Sequence, residues 1–296
     1  MTPQDHIDLS ADCRVTFHRT LRVPDDGGDY PLPPGLGAMS VYPVAEDEFV
    51  IPVHRAEALW LGFGAPFWKP HVLKVGTGSV DAVSGEPFRP SALSRLPQDY
   101  VVIPDQPWLD GINAGEGYVR QFVAVPLGHR LTVESQLEPG EEDGGLTLAL
   151  FDPRPGRFPD EPPLTDPRGP LCMDMCAASM GLGAGGRIRQ EVYADGYGID
   201  TWEAAPSRTV RVDLVDALAF GALTGIEAPP PVDARAWTAL GRPWFDLISP
   251  TQADIAAAER LARVCSLADL TALEDDPLPI PESQVIRLLR LRELVA

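Results

Sequence analysis

The chain has 296 residues, enough for one large domain or two modest ones with a sizeable core. Its 43 acidic and 24 basic residues leave a net charge of −19, which argues against nucleic acid and anionic membrane as partners, because phosphate binding needs clustered Lys and Arg. The 32 prolines are spread along the chain and predict many short elements joined by rigid turns.

The opening "MTPQDHIDLS" has neither the basic nor the apolar region of a secretory signal, and no stretch is apolar enough for a helical membrane span. Residues 13–23 alternate as a strand, and 24–37 form a turn region rich in Pro, Gly and Asp. "HRAEALWLGFG" (54–64) has helical spacing, which puts Leu59, Trp60 and Phe63 near one face. "HVLKVGTGSVDAVSG" (71–85) reads as a hairpin, and 98–117 as a short strand followed by a loop.

Three consecutive strands are expected next, at 118–127, 130–139 and 145–153, with "GEEDGG" closing an antiparallel hairpin between the last two. The Pro-rich stretch 151–170 has no periodicity and reads as a surface loop or linker. Strands return at 187–195 and 207–225. Residues 228–249 mix loop and short helix. The strongest helix signal is 250–270, with Thr251 as N-cap and Ile255, Ala258, Leu261 and Val264 on one face. Residues 281–294 fit a helix and a strand equally.

One pattern is written twice. "AGEGYVRQFVAV" (114–125) and "GAGGRIRQEVYA" (183–194) share a Gly-rich entry into an Arg-Gln strand. Strand alternation puts Val119, Gln121, Val123 and Val125 on one face, and Ile188, Gln190 and Val192 on the matching face. Each Gln then sits among aliphatic side chains and needs hydrogen-bond partners, either open backbone groups or its twin. A duplicated β unit is the leading reading; coincidence in a Gly-rich chain is the second. The third is an anion site built from Gly-rich turns with Arg120 and Arg189; if the two units pair, those residues lie within about 15 Å of each other.

Candidate chemistry falls in three places. The loop "PDQPWLDGINAGEGYVR" (104–120) concentrates Asp105, Asp110, Glu116 and Arg120 as a hydrolase-like acid–base set, with Trp108 as a stacking platform. Trp108, Asp110, Asn113, Arg120, Arg187 and Arg189 are the expected ligand-binding residues if the role is non-catalytic. "CMDMCAASMGLGAGG" (172–186) holds Cys172, Cys176, Met173, Met175 and Met180, a soft-metal or redox candidate or else a small Met- and Cys-packed helix. Its "GLGAGG" precedes an expected strand instead of opening a helix, so a dinucleotide fingerprint is rejected. No P-loop, HExxH or GxSxG is present, and the acidic turns lack calcium-loop spacing.

The blocks "FHRTLRVPDDGGDYPLPPGLG", "PDQPWLDGINAGEGYVRQFVAVPLG", "FDPRPGRFPD" and "GRPWFDL" resemble a family of proteins from bacteria and fungi without an established activity. The likeness runs over about residues 13–265 and implies no cofactor or site residue.

The sequence therefore predicts a β-rich α+β chain, 1–296, in a single compact domain: an antiparallel sandwich or barrel with an internal pseudo-duplication, plus terminal helices. The β-rich core is expected over 13–225 and a mixed helical segment over 226–296. The leading function is a cytoplasmic, non-catalytic binding or structural protein without cofactor. It self-associates or takes a small-molecule or protein ligand. Cys13, Cys172, Cys176 and Cys265 are expected to be free thiols, as in a reducing compartment.

Overall fold

The computed structural model describes residues 2–33, 35–138, 140, 142–161, 180–227, 229–234 and 246–273. In chain order the first strands are β1 (Ile7–Asp8), β2 (Arg14–Thr20), β3 (Asp29–Tyr30), β4 (Tyr42–Ala45) and β5 (Glu48–Val53). Next come β6 (Ala58–Gly64), β7 (His71–Thr77), β8 (Val80–Asp81), β9 (Val101–Ile103) and β10 (Trp108–Leu109). The last are β11 (Gly111–Gly115), β12 (Tyr118–Pro126), β13 (Leu146–Phe151), β14 (Met180–Arg189) and β15 (Arg208–Asp216). Among the described residues four short α-helices accompany them: α1 (Val133–Leu137), α2 (Ala217–Thr224), α3 (Glu259–Ala262) and α4 (Leu267–Leu273).

All fifteen strands belong to one hydrogen-bonded sheet, whose main path is β1-β2-β6-β12-β14-β15-β13-β7-β8. Most neighbours are antiparallel; β3 on β14 and β5 on β15 are parallel. The sheet is arranged like a sandwich and does not close into a barrel. Its main apolar cluster gathers side chains from Ile7 to Val264, so the N-terminal strands and the C-terminal helical segment share one core.

The two copies of the doubled motif pair directly with each other. In the β12–β14 ladder Tyr118 faces Arg189, Val119 faces Ile188 and Arg120 faces Arg187. That register places Arg120 and Arg189 one strand and two residues apart, about 8 Å from strand spacing and rise, inside the expected distance. The "GLGAGG" run lies within β14 itself and does not precede a strand. Its glycines are required by close approach. A Cβ on Gly186 would stand 2.3 Å from the Pro24 carbonyl oxygen, and one on Gly185 2.7 Å from the Val123 side chain.

Several expected elements change type. Residues 58–64 are strand β6, not helix: Leu59 and Leu61 turn into the core, while Trp60 faces His18 on β2. The expected strand at 130–139 is largely helix α1. Thr132 caps it by accepting from the Ser135 N–H (3.1 Å), and Glu134 turns inward to accept from the Ser79 and Gly144 N–H groups (3.0 and 2.6 Å). The hairpin expected between 130–139 and 145–153 is therefore not formed, and β13 pairs with β7 and β15 instead.

The expected strand at 207–225 ends at Asp216, whose carboxylate caps α2 by accepting from the Leu218 and Ala219 N–H groups. The long helix expected at 250–270 is two short ones, and Thr251 caps neither. Residues 252–258 are tied to the 190s instead: Ile255 N–H donates to Val192 O (2.8 Å), and Asp254 accepts from the Val192 and Gly117 N–H groups. Tertiary hydrogen bonds override the helical period there. The loop expected after residue 103 carries two strands, β10 and β11, and every residue of β11 is buried. The hairpin at 71–85 is present as β7–β8. Residues 281–294 and 162–170 of the Pro-rich stretch lie outside the described residues, as does 235–245 of the mixed segment.

Candidate functional site

The hairpin β7–β8 ends in a turn built by one carboxylate. Asp81 Oδ1 accepts from the Val83 N–H (3.0 Å), the Ser84 N–H (2.8 Å) and the Ser84 hydroxyl (3.0 Å), while Oδ2 is buried without a partner. Burial pushes the Asp81 carboxyl up to about 7. The Ser84 N–H opposes the rise, the Asp99 charge adds to it, and Lys74 opposes it.

Lys74 projects from the middle of β7 and is 1% exposed. Its ammonium donates to Asp99 Oδ2 (2.6 Å) and Ala92 O (2.7 Å), and Asp99 Oδ1 accepts from the Ser94 N–H (2.8 Å). One buried ion pair thus holds the loop 92–99 over the hairpin.

Buried glutamines hold the next wall. Gln106 donates to Glu191 O (3.2 Å) and accepts from the Tyr193 N–H (2.9 Å). Gln98 donates to Tyr193 O (3.0 Å) and accepts from the Asp195 N–H (2.9 Å). Each amide bonds the carbonyl of one residue and the N–H two residues on, as a neighbouring strand would. Asp195 is then saturated: Tyr100 Oη and Trp202 Nε1 donate to one oxygen, and the Tyr197 and Gly198 N–H groups to the other.

These supports frame a cleft of about 490 Å³ between the Val83–Glu86 turn, the Arg95–Gln98 turn, Ala194–Asp195 and the Ile255–Arg260 segment. A second cavity of about 240 Å³ shares Ser84, Glu86 and Pro97 with it and continues toward Arg89 and Asp99. Asn113, expected to bind ligand, is instead a strut between opposite walls: Nδ2 donates to Val83 O (3.2 Å) and Ala256 O (3.3 Å). The sequence reading missed the cleft. The one local signal was the Asp81-to-Ser84 spacing, which is that of a side-chain-capped turn.

The residues of the acid–base set expected at 104–120 have separate surroundings. Asp105 lies by Tyr197 and Asp195, with its carboxyl raised chiefly by burial. Glu116 is exposed and its charge acts on Asp254, while Arg120 faces Asp25 at 3.8 Å. Asp110 is wholly buried, with neither oxygen hydrogen-bonded. Burial holds its carboxyl well above the usual range; the nearby Trp108 indole opposes this without forming an aligned hydrogen bond. Trp108 packs edge-on to Trp60 (6.5 Å between centroids), which stacks on His18 at 3.8 Å. Burial pulls the His18 imidazole down to about 4.

The other expected arginines are also engaged. Arg187 pairs with Asp29 (2.6 Å) and covers the Tyr118 ring, and Arg189 pairs with Asp246 (2.9 Å). Cys172, Cys176, Met173 and Met175 lie outside the described residues, and Met180 opens β14. Among the described residues no three His, Cys, Asp or Glu side chains are grouped to hold a metal. No helix among them is long and apolar enough to cross a membrane.

No known protein family, curated protein or solved structure matches the chain.

Proposed function

We propose that the protein is a non-catalytic binding protein whose small-molecule ligand lies in the cleft between the Val83–Glu86 turn and the Ile255–Arg260 segment. The observation that carries this reading is the state of three of the cleft's polar side chains. Ser84 is tied to Asp81, Gln98 to three backbone groups, and Asp195 to four donors. Such groups shape walls and do not move protons. Between them the surface is apolar: Val83, Pro97, Ala194, Ile255 and the alanines of 256–258. A concave, mostly apolar site of a few hundred Å³ with fixed polar groups is what small-molecule recognition uses.

The test is a thermal-shift screen of a small-molecule library on the wild-type chain and on Ala257→Trp, which fills the cleft. Compounds that stabilise the wild type and lose their effect on the variant support the reading. A screen in which no compound distinguishes the two proteins ends it.

Self-association is a second reading, supported by Leu96. This residue is 91% exposed at the rim of the same cleft. A single exposed leucine is ordinary on a protein surface, so this reading turns on whether a second copy covers Leu96.

A further inference from the structure

Two arginines at the cleft and its neighbouring cavity stand outside the ion pairs made there by the described residues. Each carboxylate lining the two cavities has a partner. Glu86 faces Arg260 (3.6 Å), Glu259 faces Arg263 (3.5 Å) and Asp99 holds Lys74. Asp195 receives its four hydrogen bonds. Arg260 is further taken up by Glu138.

Two lining cations have no counter-ion among the described residues. Arg95 makes a single long contact, Nη2 to Asp195 O at 3.5 Å. Arg89, at the smaller cavity, has no hydrogen bond or ion pair with any described residue. Both guanidinium groups are exposed, Arg95 lining the cleft and Arg89 the smaller cavity that adjoins it.

Resting on the cleft reading above, we infer that the ligand is an organic anion: an apolar body against Val83, Pro97 and the 255–258 wall, ending in a carboxylate that Arg95 receives. A planar guanidinium offers a carboxylate two parallel donors. The apolar wall supplies burial for the rest of the molecule. A cationic ligand would meet the unmatched arginines, and an uncharged one would leave them unpaired.

A matched set of probes tests this on the full chain by calorimetric titration: 4-phenylbutyrate, its uncharged amide and 4-phenylbutylamine. The carboxylate is expected to bind about tenfold tighter than the amide, the margin of a charge-assisted hydrogen bond, and the amine weakest. Arg95→Gln, a change at an exposed position, brings the carboxylate down to the level of the amide. Ala257→Trp removes both.

Equal binding of carboxylate and amide, tightest binding of the amine, or an unchanged ratio in Arg95→Gln overturns the inference while the cleft stands. Binding that survives Ala257→Trp places the site elsewhere and overturns both. If none of the three binds, the inference falls, and the library screen alone decides the cleft.

Discussion

Gln121 and Gln190 occupy the same place in the two copies of the doubled motif, and each closes the same pair of bonds on a neighbouring backbone. Gln121 donates to Leu21 O (2.9 Å) and accepts from the Val23 N–H (3.1 Å). Gln190 donates to Trp108 O (3.4 Å) and accepts from the Asp110 N–H (3.0 Å). Both side chains are 1% exposed or less. Each amide stands in for a strand edge where no strand arrives.

Removing either amide should therefore cost more than an ordinary hydrogen bond, because two buried backbone groups lose their partner at once. Gln121→Leu and Gln190→Leu are each expected to lose about 2–4 kcal/mol in urea unfolding. Gln136→Leu, where the amide bonds Cys265 at the surface, should lose about 1 kcal/mol or less. Equal losses at all three positions would refute the strand-substitute role.

Lys74 is a buried cation held by one carboxylate. Lys74→Met leaves Asp99 unpaired beneath the loop and is expected to destabilise the fold by about 3–5 kcal/mol. Proteolysis within 92–99 should accelerate with it, since the same ion pair fixes that loop. A loss below about 1 kcal/mol in denaturant unfolding would contradict the assignment.

Asp110 gives the stability a pH dependence of definite sign. Its carboxyl titrates well above the usual range when folded, so between an ordinary carboxylate value and that raised value the folded state holds the proton and the unfolded state does not. Its contribution is fully present in acid and is lost as pH rises. Asp81 acts in the same direction, up to about pH 7. Asp110→Asn should thus gain on the wild type as pH rises from 4 to 7, by up to about 1.4 kcal/mol per unit. A difference between the two proteins that stays constant with pH would refute it.

Association should strengthen with salt if Leu96 seats an interface, because screening removes the repulsion between copies of charge −19. Native mass and sedimentation measurements at rising ionic strength check this, with Leu96→Asp expected to remain monomeric. A wild-type monomer at every salt and protein concentration would end the self-association reading.

The strands at 14–20, 118–126, 146–151 and 208–216 were legible because alternation is a local property of strand side chains, and 71–77 because a Gly-containing connection joins two Val-rich runs. The need of Gln121 and Gln190 for backbone partners followed from the same alternation. Residues 58–64 were not legible, because Leu59 and Phe63 fit a helix face as well as Leu59, Leu61 and Phe63 fit a strand face. Only β2 and β12, arriving on either side of β6, decide between them. Residues 252–258 keep a helical period, yet the open backbone of Val192 claims their hydrogen bonds from sixty residues away. The cleft is the extreme case. Its walls come from four separate segments, and whether Glu86, Asp99 or Arg95 has a counter-ion depends on side chains brought near by the sheet. Local periodicity reports which way a side chain points. Pairing between strands distant in sequence decides what it meets, and charge balance at a site is a property of that meeting alone.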